Sequence, residues 1–203
     1  MPAKRRKARK LSLIHIFSVD GDTSTTDTVL VLANELAENE KITAENEDYQ
    51  TFCQALKTVC EHLAKCIAKD GEGATKLLTC QVQGAPDKET ARVVAKSVIT
   101  SSLFKAAMFG ADANWGRILC AIGYASADFD VGLVSVDLSS AAGTVAVCRK
   151  GSGVPFDEQK ASAVLQEKEI VIDINLHAGA ESATAWGCDL TYDYVKINGD
   201  YRT

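Results

Sequence analysis

The sequence predicts an α+β layered fold, and three observations carry that expectation. Apolar residues recur at helical spacing over 46–69 and 87–100; they alternate at strand period over 169–177; and the helices fall among antiparallel-looking strands with no Rossmann or P-loop glycine pattern. With 203 residues and 46% apolar side chains, the chain can bury a core as one domain. No apolar run approaches the ~20 residues that a transmembrane helix needs, so neither a membrane span nor a fibrous chain is expected.

Residues 1–16 stand apart from the body over 17–203. Six of the 22 lysines and arginines (Lys4, Arg5, Arg6, Lys7, Arg9 and Lys10) fall in the first ten positions, which hold no acid. The rest carries 16 basic against 27 acidic side chains, so the formal net charge of −5 conceals a body at −11. The arm fits a nuclear-localisation or nucleic-acid segment or an organelle-targeting start, and the plainer reading is a stray or disordered tail. The acidic body lacks the basic surface that phosphate neutralisation needs. Six clustered charges without interleaved aromatics give salt-sensitive attraction but no readout, so nucleic acid is not an expected partner.

Residues 17–20 read as a short strand. It enters Gly21-Asp22-Thr23-Ser24-Thr25, a tight turn with competent N-caps, after which Val29, Leu32, Ala33 and Leu36 follow at helical spacing. Free N–H groups at such a helix start suit an anion or a carbonyl oxygen, and ordinary capping explains them equally well. The helix over 46–69 puts Phe52, Leu56, Val59, Cys60, Leu63 and Ile67 on one stripe, with Lys57, Glu61, Lys65 and Lys69 away from it. It stops at Asp70-Gly71-Glu72-Gly73-Ala74. Glycine on both sides of a carboxylate permits positive φ and close approach of another group, which makes Glu72 a candidate for display to a ligand; a plain C-cap and turn accounts for the glycines but not for the acid.

A strand is expected over 77–82 and a helix over 87–100, with Asp87 and Glu89 suitably placed in its first turn. The run Ala111-Asp112-Ala113-Asn114-Trp115-Gly116-Arg117-Ile118 suits a loop entering a helix over a site, or a capped helix start with Trp115 in the core. Beyond it, 133–138 and 144–149 read as paired strands and 157–165 as a helix. Residues 169–177 alternate Ile170, Ile172, Ile174 and Leu176, and a long last strand is expected over 184–197. The seven cysteines are odd in number, with none in a CxxC or at zinc-finger spacing with His, so no metal site is expected. Cys53 and Cys60 on one helix would lie ~10.5 Å apart, beyond the ~7 Å disulfide limit, which fits a reducing compartment.

Four words together resemble one family: VDGDTSTTDT (19–28), AKDGEGATK (68–76), ARVVAKSVITSSLFKAAMFGADANWGRILCAIGY (91–124) and AWGCDLTYDYVKINGDYRT (185–203). They are similar to the bifunctional ornithine acetyltransferase (glutamate N-acetyltransferase) family of arginine biosynthesis, collinearly from residue 17 or 18 to 203. The resemblance implies an αββα sandwich related to the N-terminal-nucleophile hydrolases, incomplete in this chain. It also implies a precursor about twice this length that cuts itself before a Thr, giving α and β chains that stay together as α2β2. The freed N-terminal Thr attacks N-acetylornithine, holds the acetyl group as an ester and passes it to glutamate. A Thr hydroxyl is a weak nucleophile that its own α-amine can activate as base.

On that resemblance the chain is most of a β chain, with the α chain, the nucleophilic Thr, the oxyanion-hole Thr-Gly pair and a substrate-binding Lys all belonging upstream. No catalytic residue is therefore assigned within it. Three substrate-binding positions carry over: Glu72 of the DGEGA turn, Asn198 of the INxxYRT word and the terminal Thr203. A carboxylate fits an ornithine or glutamate amine, while amide and hydroxyl donors fit a substrate carboxylate or amide. Thr26 stands where the family has Asn. Trp115 and Arg117 are assigned to bracing the core or the subunit interface, and Asp20 and Asp22 to fixing the turn, with a direct role as the lesser alternative.

The expected partners are thus N-acetylornithine, ornithine, glutamate and the α chain of the same precursor. No cofactor or metal is expected, with acetyl-CoA as an optional co-substrate. The expected compartment is the cytoplasm, as in bacterial relatives; fungal ones would be mitochondrial. Two readings stand side by side: an acetyltransferase of arginine biosynthesis, and a truncated, inactive fragment or non-catalytic partner subunit. An exposed apolar face is expected wherever this half would pack against sequence it does not carry.

Overall fold

Short polar side chains mark the helix starts. Asn46 accepts from the Tyr49 N–H ahead of α1 (Glu47–Lys69), Asp87 from Thr90 ahead of α2 (Lys88–Thr100), and Ser101 from Phe104 ahead of α3 (Ser102–Phe109). Asn114 accepts from Arg117 ahead of α4 (Trp115–Gly123), Asp157 from Gln159 and Lys160 ahead of α5 (Glu158–Gln166), and Thr191 from Tyr194 ahead of α6 (Tyr192–Asp200). Each cap satisfies N–H groups that have no carbonyl within the helix. The structure is a computed structural model and describes residues 17–22, 28–34 and 36–202. The basic arm and the Thr23–Asp27 part of the first turn lie outside them.

Among the described residues, seven strands form one mixed sheet in the order β1-β7-β2-β6-β3-β4-β5. They are β1 (Phe17–Ser18), β2 (Leu77–Ala85), β3 (Ser135–Ser140), β4 (Gly143–Arg149), β5 (Ser152–Gly153), β6 (Glu169–Asn175) and β7 (Glu181–Cys188). The layered α+β expectation holds, but the strands are not uniformly antiparallel: β2 runs parallel to β6 and β1 parallel to β7. Leu78, Cys80, Val82, Val136, Leu138, Ile170, Ile172 and Ile174 point to one face and are buried under α2–α5 in the main core. On the opposite face, α1 covers only one end, where Ala64, Ala68, Leu77 and Trp186 form a second cluster with Phe17. The remainder of that face is polar, with Gln83, Ser135, Asp137, Arg149, Asp173, Asn175 and His177 around a shallow depression.

Three expectations are corrected here. The segment after the first turn is irregular rather than helical, and Val29, Leu30, Val31, Leu32 and Leu36 are all exposed. A helix this short draws its stability from packing, and among the described residues nothing covers its apolar side. The helix over 46–69 does form, yet its buried line is Cys60, Ala64 and Ala68, with Cys53 half-buried, while Phe52, Val59, Leu63 and Ile67 face outward. That line is one residue, about 100°, round from the expected stripe, because small side chains let α1 approach Trp186 and the sheet closely. The last strand ends at Cys188, and residues 192–200 are helical.

Candidate functional site

The site is built where three chain segments meet beside the end of β7: the turn after β1, the turn after α1, and α6. The turn after α1 begins at Asp70, whose N–H bonds the Cys66 carbonyl, and closes with the Ala74 N–H on the Gly71 carbonyl at 2.9 Å. Gly73 has φ +65°, and a Cβ there would lie 2.7 Å from the Tyr194 nitrogen. A Cβ at Gly71 would lie 3.0 Å from both Cys188 Sγ and a Val19 methyl. The two glycines therefore do what their spacing predicted: they let α6 and the 19–22 turn close in on either side while Glu72 stays exposed between them.

α6 is seated by polar contacts rather than by a buried face. Thr191, itself buried, donates its hydroxyl to the Gly73 carbonyl at 2.7 Å while accepting from the Tyr194 N–H. Tyr194 donates to Asp20 Oδ2 at 3.1 Å, and Asp20 Oδ1 accepts from the Asp22 N–H, fixing the turn as the sequence suggested. One helical turn on from Tyr194, Asn198 Nδ2 donates to Glu72 Oε2 at 2.6 Å and to the Tyr194 carbonyl at 3.0 Å. Tyr192 packs edge-on against Phe109 with ring centroids 5.5 Å apart.

Beneath this rim lies a buried polar layer. Asp189 is 3% exposed and accepts from the Thr75 and Lys76 N–H groups at 2.8 and 2.9 Å and from the Thr75 hydroxyl at 2.5 Å. Lys76 donates to the Met108 carbonyl at 2.5 Å, answering a carbonyl at the C-terminus of α3; burial pushes its ammonium pKa down, opposed by Asp189. Lys105, 3% exposed, donates to the Val19 carbonyl.

The electrostatics of the rim are acidic. The Tyr194 hydroxyl is pushed above its ordinary range by burial first, then by its bond to Asp20 and the fields of Asp20, Asp22 and Glu72. Both amide hydrogens of Asn198 are engaged, so the free amide donor expected from the sequence is not available here; its amide oxygen and the remaining lone pairs of Glu72 are what this rim presents to a ligand. Such acceptors suit an ammonium or an amide N–H. Among the described residues no cluster of three or more potential metal ligands occurs, and no helix is long and apolar enough to cross a membrane.

Of the three site residues read from sequence, Glu72 and Asn198 are in direct contact, and Thr203 lies outside the described residues. Tyr194 escapes sequence reasoning, and Asp20, read first as a turn-fixing residue and second as one with a direct role, is its acceptor. The missed signal was the Thr191 cap with Asp193 in the first turn, which places Tyr194 and Asn198 four apart on one helix face. Trp115 is not a core residue: it is 36% exposed and lies against Gly153, where a Cβ would come within 2.3 Å of its ring. Arg117 braces α3 by donating to the Leu103 carbonyl at 2.9 Å.

A family model described as ArgJ family matches residues 6–203, beginning ahead of Phe17. The arginine biosynthesis bifunctional protein ArgJ 1 of Clostridium acetobutylicum is 53% identical over 189 residues, which cover 93% of this chain and 46% of that protein. The Symbiobacterium thermophilum protein named arginine biosynthesis bifunctional protein ArgJ is 56% identical over 189 residues, again 93% of this chain and 46% of that one. A crystal structure of arginine biosynthesis bifunctional protein argJ from Bacillus halodurans matches with a TM-score of 0.85 and 46% identity, covering 92% of this chain and 86% of that chain. The chain spans about half the length of the curated relatives it matches.

Proposed function

Because this chain belongs to the ArgJ family of arginine biosynthesis, we propose that it forms the substrate-side half of an acetyltransferase that moves an acetyl group from N-acetylornithine to glutamate. The observation that carries this reading is the Glu72–Asn198 pair, an exposed carboxylate and amide locked together at 2.6 Å on an acidic rim. An ornithine ammonium is met by Glu72, with the Asn198 oxygen as its second acceptor, and Asp20 and Asp22 deepen the negative field. The acetyl-carrying Thr comes from family sequence upstream of residue 17, so this chain binds and orients while the upstream half reacts. The ester intermediate gives ping-pong kinetics and needs no cofactor, with acetyl-CoA as an optional second donor.

The two-chain arrangement is supported by lengths. The match covers 46% of the curated Clostridium protein but 86% of the solved Bacillus chain, so that chain is close to this one in size. The polar, uncovered side of the sheet is where a second sheet of the αββα sandwich would stack. Seven unpaired cysteines suit a cytoplasmic location.

The second reading, an inactive fragment or non-catalytic partner when alone, is favoured by the exposed apolar residues of 29–36 and of α1. One experiment separates the two. Acetyl transfer from N-acetylornithine to glutamate is measured for this chain alone and co-expressed with the upstream half of the Clostridium acetobutylicum protein. Activity only in the co-expressed pair supports the two-chain enzyme, absence in both supports the inactive fragment, and activity alone overturns the upstream nucleophile.

A further inference from the structure

The geometry points to Lys105 as a positioning residue for the Glu72–Asn198 pair: its buried ammonium tethers the Val19 carbonyl, and the turn so fixed seats α6. This rests on the reading of Glu72 and Asn198 as substrate residues. A lysine almost fully removed from water is costly unless its charge is used, and it sits in the first turn of α3, the helix end where a cation gains nothing from the dipole. Among the described residues no carboxylate reaches it at ion-pair distance; its acceptor is a main-chain oxygen, with Cys188 first and then Asp20 and Asp189 as its electrostatic neighbours.

Val19 is the residue before Asp20, and its carbonyl also lies 3.8 Å from Cys188 Sγ. Held there, Asp20 presents Oδ2 to Tyr194, and Tyr194 is one helical turn before Asn198. α6 has no buried residue of its own, so its rotation is fixed by this relay together with the Thr191 cap, the Asn198–Glu72 bond and the Tyr192–Phe109 contact. The Lys105 carbonyl meanwhile accepts from Leu190 N–H at 3.3 Å, tying the same lysine to the segment that leads into α6.

The test is amide exchange on the full chain without substrate, in Lys105→Met, Tyr194→Phe and the double variant. Lys105→Met is expected to speed exchange over 192–200 by about tenfold while β6 stays near its wild-type rate, with Tyr194→Phe alike and the double variant no faster than the quicker single. Uniform acceleration through the sheet, unchanged α6 rates, or single effects that multiply would each overturn the relay. If the Met variant does not fold, Lys105→Arg, which keeps charge and donors, takes its place: α6 protection within about twofold of wild type supports the tether, and loss beyond tenfold overturns it. In the co-expressed pair, Lys105→Met is expected to raise KM for N-acetylornithine about tenfold with kcat within about threefold, whereas a proportionate fall in kcat alone would overturn the positioning role. Exchange is read without substrate, so the tether and the acetyltransferase reading fail separately.

Discussion

Asn198 Nδ2 lies 2.6 Å from Glu72 Oε2, joining the last helix to the turn after α1 across 126 positions of the chain. Both residues are exposed, so the contact contributes little to the core. It is instead maintained by what surrounds it: the Thr191 hydroxyl on the Gly73 carbonyl, Tyr194 on Asp20, and two glycines that admit the neighbouring backbone.

Glu72→Gln in the co-expressed enzyme should raise KM for N-acetylornithine about ten- to a hundredfold, because a carboxylate–ammonium contact becomes a neutral one. The unfolding midpoint should stay within about two degrees of wild type, as expected for an exposed position. Steady-state kinetics and a thermal melt check both, and unchanged KM would remove Glu72 from the site.

Gly73→Ala should be harmful twice over. Its φ of +65° strains an L side chain, and the new Cβ would sit 2.7 Å from the Tyr194 nitrogen, so α6 must shift. A loss of about 1–3 kcal/mol is expected in a denaturant titration. Gly123→Ala, near the end of α4 with nothing within 4 Å of its Cβ, is the control and should be neutral or slightly stabilising.

How much of this site was legible in the sequence depends on the kind of signal. The Gly-Glu-Gly turn could be read in part: a C-cap and turn already accounts for the glycines, but the acid held between them is accounted for only by display beside a closely approaching group. The strand interiors could be read too, since Ile170, Ile172 and Ile174 alternate into a single buried face. α6 could not be read by periodicity, because none of its residues is buried and its seating depends on partners more than a hundred positions away. α1 misled for the opposite reason: its sheet-facing line is Cys and Ala, which hydropathy ranks below the outward Phe, Val, Leu and Ile.

Asp189→Ala should be the most destabilising single change near the site. The carboxylate is buried and serves three donors from Thr75 and Lys76, so its removal leaves two main-chain N–H groups without their acceptor. The donors lie in a part-buried turn, so at about 1–1.5 kcal/mol for each orphaned N–H a loss of roughly 2–3 kcal/mol is expected in chemical denaturation. A loss below about 1 kcal/mol would mean that the turn re-forms its bonds elsewhere.

Asp173 gives a pH signature. Burial pushes its carboxyl above the ordinary value of 3.8, opposed by the Ser139 hydroxyl at 3.2 Å, with a further push from Asp137. The folded state then holds this proton more tightly than the unfolded one, so the chain loses stability as pH rises from 3.8 through the folded value and nothing further above it. Asp173→Asn removes that loss. Because the group is only partly buried, the gain at pH 7 is expected to be about one or two degrees in the melting midpoint, vanishing at about pH 3. An equal gain at both pH values would assign the effect to packing.

The outward face of α1 predicts association of the isolated chain. Val59 and Leu63 are 56% and 53% exposed, four apart on one helix face, with Phe52 and Ile67 exposed alongside them. Burying such side chains is worth about 1.5–3 kcal/mol each when complete, so two copies, or this chain and its upstream half, gain by covering the face. Sedimentation velocity on the chain alone should show sedimentation rising with concentration. Val59→Glu with Leu63→Glu should weaken that self-association by at least about tenfold, since each charge would have to be desolvated at the contact. The midpoint should stay within about two degrees, because neither residue belongs to the buried line of Cys60, Ala64 and Ala68. A chain that stays monomeric at every concentration would show that this face needs no cover.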